Sequence, residues 1–106
     1  MSVTNPQPLA ALLASHPEEC AAVVAVLAMT LTPSEREIIF LLGNRGVVIA
    51  VPVLCAILAP LERAGIATRD RRGFGSTVVW LVESADRYAI ARMGAAAWLA
   101  ARVAQP

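Results

Sequence analysis

At Gly65 the hydrophobic period of this chain changes from that of a helix to that of a strand, and this switch narrows the fold more than any other feature. Before it, Leu54, Ile57, Leu58 and Leu61 fall at i, i+3, i+4 and i+7, one face of a helix. Pro52 opens that helix, which is expected to run to about Ala64 and to stop at Gly65. Pro60 lies inside it, removes a backbone donor and crowds Ala56, so a kink is expected. Beyond the switch, IATRDR, RGFGS and TVVWLV follow in turn, and the flanking segments alternate with a period of two. They read as two strands of a hairpin joined by a glycine-containing loop of five residues.

The upstream elements are helical. A short piece is expected from Pro8 to Ala14. Ser15-His16-Pro17-Glu18-Glu19 then restarts the helix, with Ser15 or His16 as cap, proline in the first turn and acids at the positive helix end. The continuation to about Met29 is apolar nearly all round, so its burial requires more than one neighbour. Thr32-Pro33-Ser34-Glu35 has the spacing of a capping box, with Thr32 as N-cap and Glu35 reaching back to its amide. The helix that follows carries Ile38, Ile39, Leu41 and Leu42 and stops in Gly43-Asn44-Arg45-Gly46. Val47 to Ala50 is β-branched and reads as a short strand. After the hairpin, Ser84 caps a last, alanine-rich helix from Ala85 to about Val103.

The elements make a mainly α fold with one β-hairpin. At 106 residues there is room for one core, hence a single domain: an N-terminal helical arm (1–30), a central unit (31–83) and a C-terminal helix (84–106). Hydrophobic residues make up 58% of the chain and charged residues only 16%, more apolar surface than a core of this size hides, so a homodimer or a protein partner is expected. A membrane span is not expected, because the longest apolar run, Val47 to Leu61, is 15 residues long and contains two prolines. No Lys or Arg precedes Arg36, so the charged start of a signal peptide is missing. Cys20 and Cys55 have no metal-ligand spacing and read as buried free thiols in a reducing, cytoplasmic setting.

The element order, and the residues themselves, resemble a winged-helix domain of the MarR type. LTPSEREIIFLLGNRG is similar to the opening helix of such regulators, and LERAGIATRDRRGFGSTVVWLVESADRYAIA to the end of their recognition helix, the wing and the start of the final helix. The resemblance covers about residues 31–92 and implies a winged-helix-like core flanked by N- and C-terminal helices that build a dimer. The chain departs from the pattern between Gly46 and Leu61, where 14 residues stand in place of two helices, so the helix-turn-helix is expected to be shortened.

A second departure concerns chemistry. With Leu54, Ile57, Leu58 and Leu61 facing the core, the outward positions are Pro52, Val53, Cys55, Ala56, Ala59 and Pro60. Bases are read by side-chain hydrogen bonds, and none of these six supplies a strong donor or acceptor. The Val53, Ala56, Ala59 and Pro60 stripe reads instead as a partner interface, or as extra core beneath the N-terminal helices. On the hairpin, Arg69, Arg71 and Arg72 can grip phosphates, with Phe74 at the tip as a wedge or hot spot. The alternative is a solvated hairpin in which Asp70 offsets the charge and Phe74 folds back. All nine basic residues are arginine, and the net charge is only +1, spread as −3 over residues 1–44 and +4 over residues 45–106.

No catalytic constellation, metal-ligand pattern, cofactor motif or small-molecule site is evident. RRGFGS contains a GxG but lies in a hairpin, where no helix N-terminus follows to receive a phosphate. His16, the only histidine, reads as a cap or surface residue. The expectation is therefore a non-enzymatic protein-binding or regulatory module that has lost base-reading residues. The alternative is a transcriptional regulator that holds DNA weakly, and without sequence preference, through its arginine wing.

Overall fold

The computed structural model describes residues 8–72 and 77–104, and among them it is mainly helical with one two-stranded antiparallel hairpin. The order is α1 (Pro8–Ser15), α2 (Pro17–Met29), α3 (Glu35–Asn44), α4 (Val51–Arg63), β1 (Thr68–Arg72), β2 (Thr77–Leu81), α5 (Ser84–Met93) and α6 (Ala95–Ala104). Helix α2 is the centre. Its residues Cys20, Val23, Val24, Val26 and Leu27 are all buried, and α1, α3, α5, α6 and β2 all pack against it. A helix that is apolar nearly all round is thus served by several neighbours, its alanine side staying half-buried. No single helix among the described residues is long and apolar enough to cross a membrane; α1 and α2 reach that length only together, across a bend of 115°.

Helix α4 contributes Leu54, Ile57, Leu58 and Leu61 to the same core, the face that their spacing predicts, and its span continues through Pro60. The hairpin pairs Thr68 with Leu81, Arg69 with Trp80, Asp70 with Val79 and Arg71 with Val78. Trp80 and Val82 are buried and carry the hairpin onto the core. The loop that bears Phe74 lies outside the described residues.

Several local expectations are corrected. The N-cap of α3 is Ser34, not Thr32: the Glu37 amide donates to Ser34 Oγ (3.2 Å), and Glu37 Oε1 accepts from the Ser34 amide (2.8 Å). The sequence offers the Ser/Thr-x-x-Glu spacing twice, two residues apart, and pairing with the hairpin selects the second. The Trp80 amide donates to the Pro33 carbonyl (2.9 Å), and Ser34 forms a β-bridge with Val79, so the chain is still extended at Pro33. Val47 to Ala50 is not a strand, since the Pro33–Ser34 segment occupies the hairpin edge that it would need; Val48 is left 91% exposed.

The long C-terminal helix is in fact two helices, and Ser84 is the first residue of α5 and not its cap: Glu83 holds the N-cap position without a side-chain capping bond. Gly94 takes φ +88°, a conformation outside the helical region that costs an L-residue dearly and glycine little. Its amide still donates to the Ile90 carbonyl (2.8 Å), closing α5, while its carbonyl accepts from the Trp98 amide (3.0 Å), opening α6. Finally, Cys20 is buried as expected but Cys55 is exposed, because it lies off the Leu54–Leu61 face of α4.

Candidate functional site

The outward side of α4 forms one wall of an open groove of about 610 Å³, and α1 forms the other. Leu12, Ile57, Val53 and Ala56 give it an apolar lining, of which Val53 and Ala56 are exposed, and His16 also lines it. Pro52, Val53, Cys55 and Ala56 are exposed and Ala59 is half-buried. Pro60 departs from the expected outward stripe: it is buried, where α1 packs against α4. Burial therefore differs along a single helix: Pro60 is buried, and Val53 and Ala56 are exposed.

The groove is chemically quiet. Ser15 Oγ turns back to the carbonyls of Ala11 (3.1 Å) and Leu12 (3.3 Å) instead of capping α2. His16 occupies the N-cap position of α2 without a side-chain capping bond, and its Nδ1 stands 4.0 Å from the Glu19 carboxylate. On the far flank, the Cys55 thiol donates to Glu35 Oε1 over 3.9 Å. Partial desolvation, with the Glu35 charge and hydrogen bond in support, pushes that thiol above its ordinary value, away from the thiolate that a nucleophile needs. Among the described residues, no group of three or more His, Cys, Asp and Glu is placed to hold a metal ion.

On the arginine face of the hairpin, Arg69 is engaged within the protein. The β register places Arg69 and Arg71 on one face, opposite Trp80 and Val78. Arg69 Nε donates to Glu62 Oε2 at 3.0 Å, and its guanidinium lies 5.9 Å from the Trp80 ring centroid. The Trp80 indole N–H itself is buried without an acceptor among the described residues. The Arg71 amide donates to Asp70 Oδ1 at 2.8 Å. Arg72 belongs to β1, but its side chain, like Phe74, lies outside the described residues. Glu62 is the member of this cluster that sequence reasoning missed. It sits on the last turn of α4, seven positions from Arg69, and only the fold of the hairpin back onto α4 brings the two together.

Other arginines also serve helix ends. Arg87 of α5 donates to the carbonyls of Leu27 (3.3 Å) and Thr30 (2.5 Å), at the C-terminus of α2, a helix with no basic residue in its own last turn. Arg102 of α6 donates to the Ala64 carbonyl (3.2 Å) at the end of α4, stands 3.9 Å from the Asp86 carboxylate and lies over the Trp98 ring at 5.5 Å. A planar cation with several donors fits such carbonyl clusters, where the helix dipole is negative.

Against known proteins, the chain matches no family model, no curated protein and no solved structure.

Proposed function

We propose that this chain is a non-enzymatic protein-binding module on a winged-helix-like scaffold, and that the open end of the α1–α4 groove is its binding face. The observation that carries this reading is the exposed Pro52, Val53 and Ala56 surface of α4. In a winged helix, the helix before the wing is the one that enters the major groove, and reading bases there requires side-chain donors and acceptors. This helix offers small and apolar side chains in those places, which suit close packing against another protein. Support for the scaffold comes from the run of α2, a Ser34 bridge to the hairpin, α3, α4 and the hairpin itself. In that arrangement α3 supplies the first helix of the pair that was expected to be shortened. The six residues Arg45 to Ala50 replace its usual tight turn.

The phosphate-gripping alternative draws on the shared face of Arg69 and Arg71. Against it stands the Glu62 carboxylate, which already occupies Arg69 Nε. The two readings separate in one comparison. Ala56→Arg abolishes partner capture if α4 is the protein interface and leaves any DNA affinity unchanged or slightly raised. Replacing Arg69, Arg71 and Arg72 together by alanine abolishes DNA binding if the wing grips phosphates. Tight binding to one short DNA sequence at physiological salt, lost in Ala56→Arg, would overturn the protein-binding reading.

A further inference from the structure

Between α3 and α4 the chain is built like an edge strand without a sheet. Val47 and Ile49 are half-buried and pack against the core, while Val48 and Ala50 are exposed, the alternation of a strand with one face covered. Both ends are pinned. The Val47 amide donates to the Leu42 carbonyl (2.9 Å), and the Ala50 carbonyl accepts from the Leu54 amide (3.0 Å). Ala50 itself is extended, with φ −84° and ψ 160°. Between the pins, the Val48 N–H and C=O and the Ala50 N–H meet no hydrogen-bonding group among the described residues. Successive residues of a strand present these groups to opposite edges, so all three lie on one edge. Val48 is 91% exposed, and its edge is open to solvent.

We infer that this edge accepts an extended segment of another protein as an added strand, and that the segment carries a lysine or arginine. Main-chain bonding supplies the first part. A residue set opposite Val48 exchanges both N–H···O=C bonds with it, and a further bond forms to the Ala50 amide. Charge supplies the second part. Val48 also lines a cleft of about 190 Å³ with Glu18 and Glu19, from the first turn of α2. His16 Nδ1 stands 4.0 Å from Glu19, and Glu18 has no ion pair among the described residues. A basic side chain on the added strand therefore has two carboxylates beside it. A second copy of the chain is the poorer occupant, because pairing Val48 with Val48 gathers four carboxylates around one short ladder. Val48, Ala50, Glu18 and Glu19 line no part of the α1–α4 groove, so mutation separates the two surfaces.

The test titrates the full chain with a capped hexapeptide of alternating valine and lysine, up to about 1 mM, while its backbone amide resonances are followed. In such a peptide the lysines fall on one face and the valines on the other. At saturation the Val48 and Ala50 amides are expected to exchange their hydrogens about tenfold more slowly. The same peptide with glutamate in place of lysine is expected to bind about tenfold more weakly, and Glu18→Gln with Glu19→Gln to remove that preference. Val48→Pro deletes the donor at an exposed, extended position and is expected to abolish binding while the other amide resonances hold their places. A fully N-methylated peptide, offered to the wild type, is expected to fail equally, which makes the point without any change to the protein. Ala56→Arg is expected to bind the peptide as the wild type does. No binding of the lysine peptide at about 1 mM, or equal binding by Val48→Pro or of the N-methylated peptide, would overturn the added strand. Equal affinity for the lysine and glutamate peptides would overturn the basic partner. A wild type that dimerises where Val48→Pro does not would give the edge to a second copy instead.

Discussion

Helices α2 and α4 are each 13 residues long, apolar and opened by a proline, yet they meet opposite fates. Five elements contact α2, so that Cys20, Val23, Val24, Val26 and Leu27 are buried and the alanines of its other side are half-buried. Helix α4 is held mainly from one side, by the core beneath it and by α1 along part of its back, so that an apolar strip remains open at Val53 and Ala56. Apolar composition alone does not decide burial; the number of neighbours does. The strip on α4 is informative because it has the chemistry of a core residue row and the exposure of a surface one.

The largest test of this contrast lies inside α2. Leu27 has no solvent exposure and contacts the core from the middle of the molecule. Leu27→Ala is expected to lower the unfolding free energy by about 2–5 kcal/mol, the range for deleting a buried leucine without collapse of the site. Urea unfolding followed by the fluorescence of the buried Trp80 and Trp98 measures it directly. A loss below about 1 kcal/mol would mean that α2 is not the enclosed helix described above.

Much of this contrast was legible in the sequence, and the parts that were not share a cause. The switch of period at Gly65 gave the inward face of α4 and the presence of the hairpin, because both are local repeats that burial reinforces; the pairing differs from the expected five-residue loop, since Arg72 belongs to β1 opposite Thr77. The all-round apolarity of α2 announced several neighbours without naming them. What local pattern could not carry were choices made by distant segments. The hairpin edge selected Ser34 over Thr32 as the cap of α3, and α1 buried Pro60 but left Ala56 open. In the α5–α6 stretch the alanine-rich composition favoured helix on both sides of Gly94 and hid the one residue whose positive φ divides it. The Glu62–Arg69 pair was missed for the same reason as Pro60: each depends on how one element folds back over another.

Each helix also carries one cysteine, and the pair reports the contrast chemically. Burial, with a contribution from Glu19, pushes the Cys20 thiol of α2 from 9.0 to about 11. Above pH 9 the unfolded chain gives up this proton while the folded chain keeps it, so rising pH favours unfolding. Stability that is fully present below pH 9 is expected to fall by about 1.4 kcal/mol per pH unit from there to about pH 11. Cys20→Ala removes that part of the slope, and Cys55→Ala retains it. At neutral pH an aromatic disulfide reagent is expected to label Cys55 directly and Cys20 only through opening of the fold, slower by a factor on the order of a thousand or more. Equal labelling rates would show that α2 is not enclosed.

The smallest expected effect is the most discriminating. Ala56 and Val24 both lie in the apolar stretches of these helices, and composition does not separate them. Only the periodicity of α4 puts Ala56 on the outward side, a distinction that the all-round apolarity of α2 does not offer for Val24. Placing arginine at Val24 buries an unpaired charge, with a cost of about 3–5 kcal/mol or outright unfolding. Placing arginine at Ala56 sets a long, flexible cation on an exposed helix position, where it gives up almost no helix propensity and keeps its water. The unfolding free energy of Ala56→Arg is therefore expected to stay within about 0.5 kcal/mol of wild type. The comparison belongs at a protein concentration low enough for any second copy to dissociate, because association with the folded state adds apparent stability by mass action. A loss of several kcal/mol at low concentration would mean that α1 closes over Ala56 as it does over Pro60. The apolar strip would then be core along its whole length, and the search for a binding face would move to the arginine side of the hairpin.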